Sequence, residues 1–169
     1  LRVSLRYRCL GQLDEGYSIP LTPLEHLART VYMEDPAVHF KPKHGGMRDI
    51  LIVSRMQKAA AIMQFKLEGQ MLARHPEWDM EHRRLLHRID FAKGTIEVDG
   101  VIYELRDTHF PTIDPADPYA LSREERECMD RMKYSFTHSQ KLKEHMQYIV
   151  GNGSMYLRRD VHLIFHGCV

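Results

Sequence analysis

The 169-residue chain is 43% hydrophobic and 28% charged, a balance that suits one folded core and excludes wholesale disorder. Its 24 Lys and Arg nearly cancel 23 Asp and Glu, so no overall basic field draws it to nucleic acid or to an anionic membrane surface. Apolar runs fall well short of the roughly 20 residues that span a bilayer, and three scattered cysteines, Cys9, Cys128 and Cys168, suit reduced thiols in a cytoplasm rather than a disulfide framework.

The chain opens on Leu1-Arg2-Val3-Ser4-Leu5 without an initiator methionine and reads as the interior of a longer polypeptide. Short helices are expected to about Tyr32, with Thr22 as an N-cap, Pro23 at the first helical position, and Leu24, Leu27, Ala28 and Val31 on one apolar face. Asp35-Pro36 ends this region, and Phe40 to Gly46 reads as a loop. From Met47 to about His75 the spacing predicts one long helix. Val53, Met56, Ala60, Met63, Leu67 and Met71 recur every three or four residues, and Arg48, Arg55, Gln64, Lys66 and Glu68 are placed on the opposite, solvent face.

Three short strands follow near 88–105, separated by Lys93-Gly94 and by Asp99-Gly100, a dipeptide suited to a two-residue hairpin turn. Three prolines between Phe110 and Tyr119 exclude a helix or a central strand there. Ser122-Arg123-Glu124-Glu125 is a capping box that starts a helix to about Tyr134. A further helix is expected from Ser139 to Val150, with Leu142, Met146 and Ile149 on one face and left-handed residues in Gly151-Asn152-Gly153 ending it. Ser154 to Leu157 and Val161 to Phe165, joined across Arg158-Arg159-Asp160, are expected to form a hairpin or two neighbouring strands at the end of the sequence.

Three groups of residues carry chemistry. His166-Gly167 follows an apolar strand, and a neutral imidazole at a strand end, with a glycine that lets other groups approach closely, suits a divalent metal as well as a structural hydrogen bond. Lys41, Lys43 and Arg48 surround Gly45-Gly46 ahead of a helix, an arrangement that favours phosphate, although no P-loop signature is present. Asp107, Asp114 and Asp117 beside His109 have the composition of a metal site and equally of turn formers in a proline-rich loop.

Several strings together resemble the class III fructose-1,6-bisphosphatases. They are Lys41-Pro42-Lys43, the helical run from Arg55 to Gln70, the loop from Phe110 to Tyr119, Gly153-Ser154-Met155-Tyr156, and Phe165-His166-Gly167-Cys168. The resemblance implies an internal piece of a large bacterial enzyme of gluconeogenesis with a calcineurin-like metallophosphoesterase core. It implies an α+β fold: residues 1–150 are a mainly helical insertion with a small β-meander, and 151–169 return to core strands of an α/β metallophosphoesterase sandwich. Upstream of Leu1 it places the superfamily's first metal-ligand motifs, and it makes His166 a later metal ligand.

The implied reaction is metal-assisted attack of water on the 1-phosphate of fructose 1,6-bisphosphate, with Mn2+ in a two-metal site. Lys41, Lys43, Arg48 and Arg55 are the candidates for holding a substrate phosphate, and no catalytic acid is assigned. The implied partner is a small sugar bisphosphate, with neither nucleic acid nor membrane, and the helical part leaves room for a homo-oligomer contact. The competing readings are a metallophosphatase acting on another phosphate ester and a non-enzymatic helical interaction module.

Overall fold

The computed structural model describes residues 1–43 and 50–167. Among these, helices α1 (Arg2–Tyr7) and α2 (Thr22–Thr30) precede the long α3 (Ile50–Arg74), and α4 (Arg123–His138) and α5 (Gln140–Asn152) lie near the end. A three-stranded antiparallel sheet, β1 (Ile89–Asp90), β2 (Thr95–Val98) and β3 (Val101–Glu104), stands between α3 and α4. A hairpin of β4 (Tyr156–Arg159) and β5 (His162–Phe165) follows α5. The fold is mainly helical with two small sheets. Among the described residues no sandwich forms, because β4 and β5 pair only with each other and are exposed on both faces.

Helix α3 is the axis of the molecule. From Met56 to Met63 every residue is buried, so this stretch is covered all round rather than along one stripe. The run Ala59-Ala60-Ala61 presents no long side chain, which lets neighbouring segments approach closely. One side receives α1 and α2 through Leu5, Leu24, Leu27, Ala28 and Tyr32. Cys128 and Met132 of α4 complete that core.

The other side of α3 receives the proline-rich segment 106–119, which runs along it as an ordered strap. The row Lys58, Ile62 and Lys66, spaced four residues apart on one helix face, makes the contact. Ile62 packs with Ile113, Tyr119 and Leu86. Lys66 Nζ donates to Thr112 O (2.5 Å) and to Glu125 Oε2 (2.7 Å), and both side chains of that ion pair have zero exposure. The solvent-facing position expected for Lys66 is therefore overturned: the ammonium is buried because a carboxylate and a carbonyl satisfy it there. One turn further on, Gln70 Nε2 donates to Tyr119 O. Gly69 lies under the Tyr119 ring so closely that a Cβ would fall 2.2 Å from it.

Glu125 belongs to the capping box as well. Its backbone N–H donates to Ser122 Oγ, and its Oε2 accepts from Ser122 N (2.8 Å). One carboxylate thus caps α4 and neutralises α3. The helix runs on past Tyr134 to His138, where Ser139 caps α5 by accepting from Leu142 N.

Other expectations need correction. Leu21, not Thr22, is the N-cap of α2, and Pro23 is the second helical residue, where its missing N–H has no partner to lose. Gly151 and Asn152 remain helical and Gly153 has φ −81°, so no left-handed residue ends α5. Met146 and Ile149 do not pack inward, and only Leu142 of that face meets the core. Met71, expected in the apolar stripe of α3, is exposed. The Asp99-Gly100 turn does form as expected, with φ 51° and 77°, and joins β2 to β3 with Val98 opposite Val101.

Two stability predictions follow from this packing. Lys66→Met in the intact protein leaves Glu125 buried without its cation and lowers stability by about 3–5 kcal/mol; adding Glu125→Gln, which keeps the cap acceptor, recovers much of the loss in chemical denaturation. Gly69→Ala forces Tyr119 out of its seat, and the expected cost is about 1–3 kcal/mol.

Candidate functional site

The polar centre of the molecule lies where α3 meets the chain after α2 and the start of the strap. Lys58 Nζ donates to Asp35 Oδ2 (2.6 Å) and to Asp107 Oδ1 (2.8 Å), with Lys58 and Asp35 both about 1% exposed. His109 Nδ1 shares Asp35 Oδ2 at 2.7 Å, and Asp35 Oδ1 accepts from Ala37 N. Asp107 Oδ1 also accepts from His109 N, an Asx-type turn. Lys58 lies 5.7 Å from the centre of the Phe110 ring. Burial alone would push the Asp35 carboxyl up, but the hydrogen bonds from Lys58 and His109 and the bond from Ala37 outweigh it and hold the group below the usual carboxylate range.

This arrangement settles how the acidic loop is used. Asp107-Thr108-His109 has Asp-x-His spacing, yet the cation between its carboxylate and Asp35 is the protein's own Lys58. Asp114 Oδ1 accepts from Ala116 N within a turn closed by the Asp114–Asp117 bridge. Among the described residues no group of three His, Cys, Asp or Glu side chains is placed to hold a metal ion.

The phosphate candidates occupy separate settings. Lys41 is exposed after the turn Val38–Phe40. Lys43 is exposed, its backbone N–H donates to Arg6 O (2.9 Å), and its Nζ lies 5.1 Å from the centre of the Tyr7 ring. Arg48 lies outside the described residues, with Gly45 and Gly46. Arg55, half-buried on α3, donates from Nε to Asp35 O (2.8 Å) and so joins the Lys58 cluster from the other side of Asp35.

His166 stands exposed directly after β5. Gly167 follows with φ 81° and open space where a Cβ would be, so a side chain is disfavoured there and the backbone is accessible beside the imidazole. His162, on β5 opposite Arg159, is exposed. A single imidazole at a strand end can fill one position of a metal site and no more. Cys168 lies outside the described residues. Burial, with Glu125 nearby, pushes the Cys128 thiol up to about 11, which leaves it neutral and unsuited to nucleophilic work.

Sequence reasoning missed Lys58, Asp35 and the Lys66–Glu125 pair. The signal was present in the spacing of two lysines, each four residues from Ile62, on either side of the apolar run Ala59 to Met63.

The family model described as Firmicute fructose-1,6-bisphosphatase matches residues 1–169, and the chain belongs to that family. The fructose-1,6-bisphosphatase class 3 of Clostridium acetobutylicum is 44% identical over 174 residues, covering 100% of this chain and 26% of that protein. The class 3 enzyme of Listeria innocua is also 44% identical, with 27% of its length covered, and that of Bacteroides thetaiotaomicron is 43% identical, with 26% covered. The chain thus spans about a quarter of the length of the curated relatives it matches. No solved structure matches it.

The depressed Asp35 carboxyl gives a pH prediction. A group whose folded pKa lies below its unfolded value contributes stability above the unfolded value, here near 3.8, and that contribution is lost as pH falls through the folded value. The midpoint of thermal unfolding of the intact protein is therefore expected to fall with acid below about pH 4, and Asp35→Asn is expected to flatten this dependence while lowering stability at neutral pH.

Proposed function

We propose that the intact protein is a fructose-1,6-bisphosphatase of gluconeogenesis that releases the 1-phosphate of fructose 1,6-bisphosphate, leaving fructose 6-phosphate. The observation that carries this reading is the family match along every residue, with relatives of that printed activity at 43–44% identity. In this reading residues 1–150 form a mainly helical wall inserted in a metallophosphoesterase core, and 151–169 return to that core, with β4 and β5 joining a larger sheet. His166 supplies one ligand of a two-metal site for Mn2+, and the other ligands come from outside the chain. When bound, such metals supply Lewis-acid chemistry that activates water and neutralises phosphoryl oxygens.

The chain's own residues do the rest of what we assign. Lys41, Lys43, Arg48 and Arg55 hold the phosphate remote from the reaction, and the Asp35 carbonyl orients Arg55 through its Nε. No helix of the described residues is long and apolar enough to cross a membrane, and the proposed setting is the cytoplasm.

In the intact protein, fructose 1,6-bisphosphate turnover is expected to vanish with chelator and return with manganese. Preferential turnover of a phosphopeptide, or metal-independent activity, contradicts the reading. His166→Ala is expected to lower kcat/KM by about 100-fold or more while leaving thermal unfolding unchanged. Lys43→Ala or Arg48→Ala is expected to raise KM by about tenfold or more, the loss of one charge-assisted hydrogen bond to phosphate.

A further inference from the structure

His109 is the most exposed member of the Lys58 cluster, with half of its side chain in solvent, whereas its partner Asp35 is about 1% exposed. Its Nδ1 lies 2.7 Å from Asp35 Oδ2. An ionised carboxylate only accepts, so Nδ1 carries the hydrogen of this bond. Nε2 lies across the ring, is directed away from Asp35, and has no hydrogen-bond partner among the described residues. A buried carboxylate that fixes one ring nitrogen thus sets where the other one points.

Asp35 fixes a second cation as well. Its carbonyl accepts from Arg55 Nε at 2.8 Å, and among the described residues neither η nitrogen of that guanidinium donates to a protein group. Lys58 Nζ and Ala37 N hold the Asp35 carboxylate in turn, so Arg55 and His109 are anchored on one immobilised residue. The groups that face His109 are Asp35, Asp107 of the strap, and Lys58 and Arg55 of α3. The two carboxylates are matched by the ammonium and the guanidinium, and Lys58, about 1% exposed, directs its charge inward. A proton on Nε2 adds a positive charge that no carboxylate of the cluster cancels, and it turns Nε2 from an acceptor into a donor. A phosphate oxygen accepts from such a donor, as it does from a guanidinium.

We propose that Asp35 is a positioning residue that aims Arg55 and the imidazolium of His109 at one phosphate group. His109 is then a substrate-binding residue, and it takes the Nε2 proton from solvent as the phosphate binds. This inference rests on the proposed bisphosphatase reading, in which Arg55 holds the phosphate remote from the reaction, and adds His109 to the groups that do so.

The test is calorimetric binding of fructose 6-phosphate to the intact protein. His109→Asn keeps a donor at the place of Nδ1, and with it the bond to Asp35, but has nothing at the place of Nε2. It is expected to bind about tenfold more weakly than wild type, the loss of one charge-assisted hydrogen bond, with an unchanged midpoint of thermal unfolding. The ratio of the two affinities is expected to fall toward one between about pH 6 and about pH 9, because neutral imidazole has no outward donor. Wild-type affinity in His109→Asn, a ratio independent of pH, or no binding by the wild-type protein overturns the proposal. Arg55→Gln provides a second variant: it is expected to weaken binding by a similar factor and to keep the wild-type pH dependence, and unchanged binding overturns the shared site. Release of phosphate from fructose 1,6-bisphosphate is measured separately. Turnover together with wild-type affinity in His109→Asn contradicts this inference alone, and the expected binding pattern without turnover contradicts the proposed function alone.

Discussion

Two buried lysines on one helix face organise this molecule. Lys58 and Lys66 lie eight residues apart on α3, and each ammonium is taken out of water only because acceptors from distant parts of the chain meet it there. Lys58 gathers Asp35 from the end of the α2 region and Asp107 from the strap, while Lys66 gathers Thr112 of the strap and Glu125 of α4. A lone buried charge costs several kcal/mol, so the paired arrangement is strongly preferred over any in which one partner is displaced. Because every partner is far away in sequence, the pairs specify which segments assemble around α3 as well as contributing to how firmly they do so.

The strap between them has little regular structure to hold it. Its three prolines remove backbone donors, and it is fastened by side chains instead: Lys58 at one end, Lys66 and the Tyr32–Thr112 hydroxyl pair in the middle, and Gln70 with Tyr119 at the other. Tyr119 carries several of these ties, since its hydroxyl accepts from Leu86 N and pairs with His87 Nδ1 while its ring takes the Arg84 guanidinium on one face. The contrast with the end of the chain is sharp. Residues 143–165 are exposed throughout, including Ile149, Leu163, Ile164 and Phe165. In the proposed enzyme this apolar stretch is where the helical part joins the rest of the protein, which places His166 at the junction.

Much of this was legible from residue patterns. The capping box, the Asp99-Gly100 turn, the α3 span and the irregular proline segment all arise from local stereochemistry, which sequence expresses directly. The sorting of α3's charged residues was not, because amphipathic spacing treats a lysine as a solvent marker and cannot see a carboxylate that arrives from 59 positions away. The same limit applies to the apolar face of α5: periodicity identifies Leu142, Met146 and Ile149 but not whether anything covers them. At the candidate site, the strand and the histidine that ends it were readable, and among the described residues no group of donors to hold a metal is assembled. Asp107-Thr108-His109 shows the converse case, a metal-like string whose cation is supplied internally.

In the proposed enzyme this helical part contributes His166, at its exposed end, to a metal site shared with the rest of the polypeptide. Manganese stoichiometry of the intact protein and of its His166→Gln variant, measured at equilibrium, tests this most directly. About two ions per wild-type chain are expected, with at least one lost or bound at least tenfold more weakly in a variant that unfolds normally. Equal stoichiometry and affinity in the two proteins would contradict it.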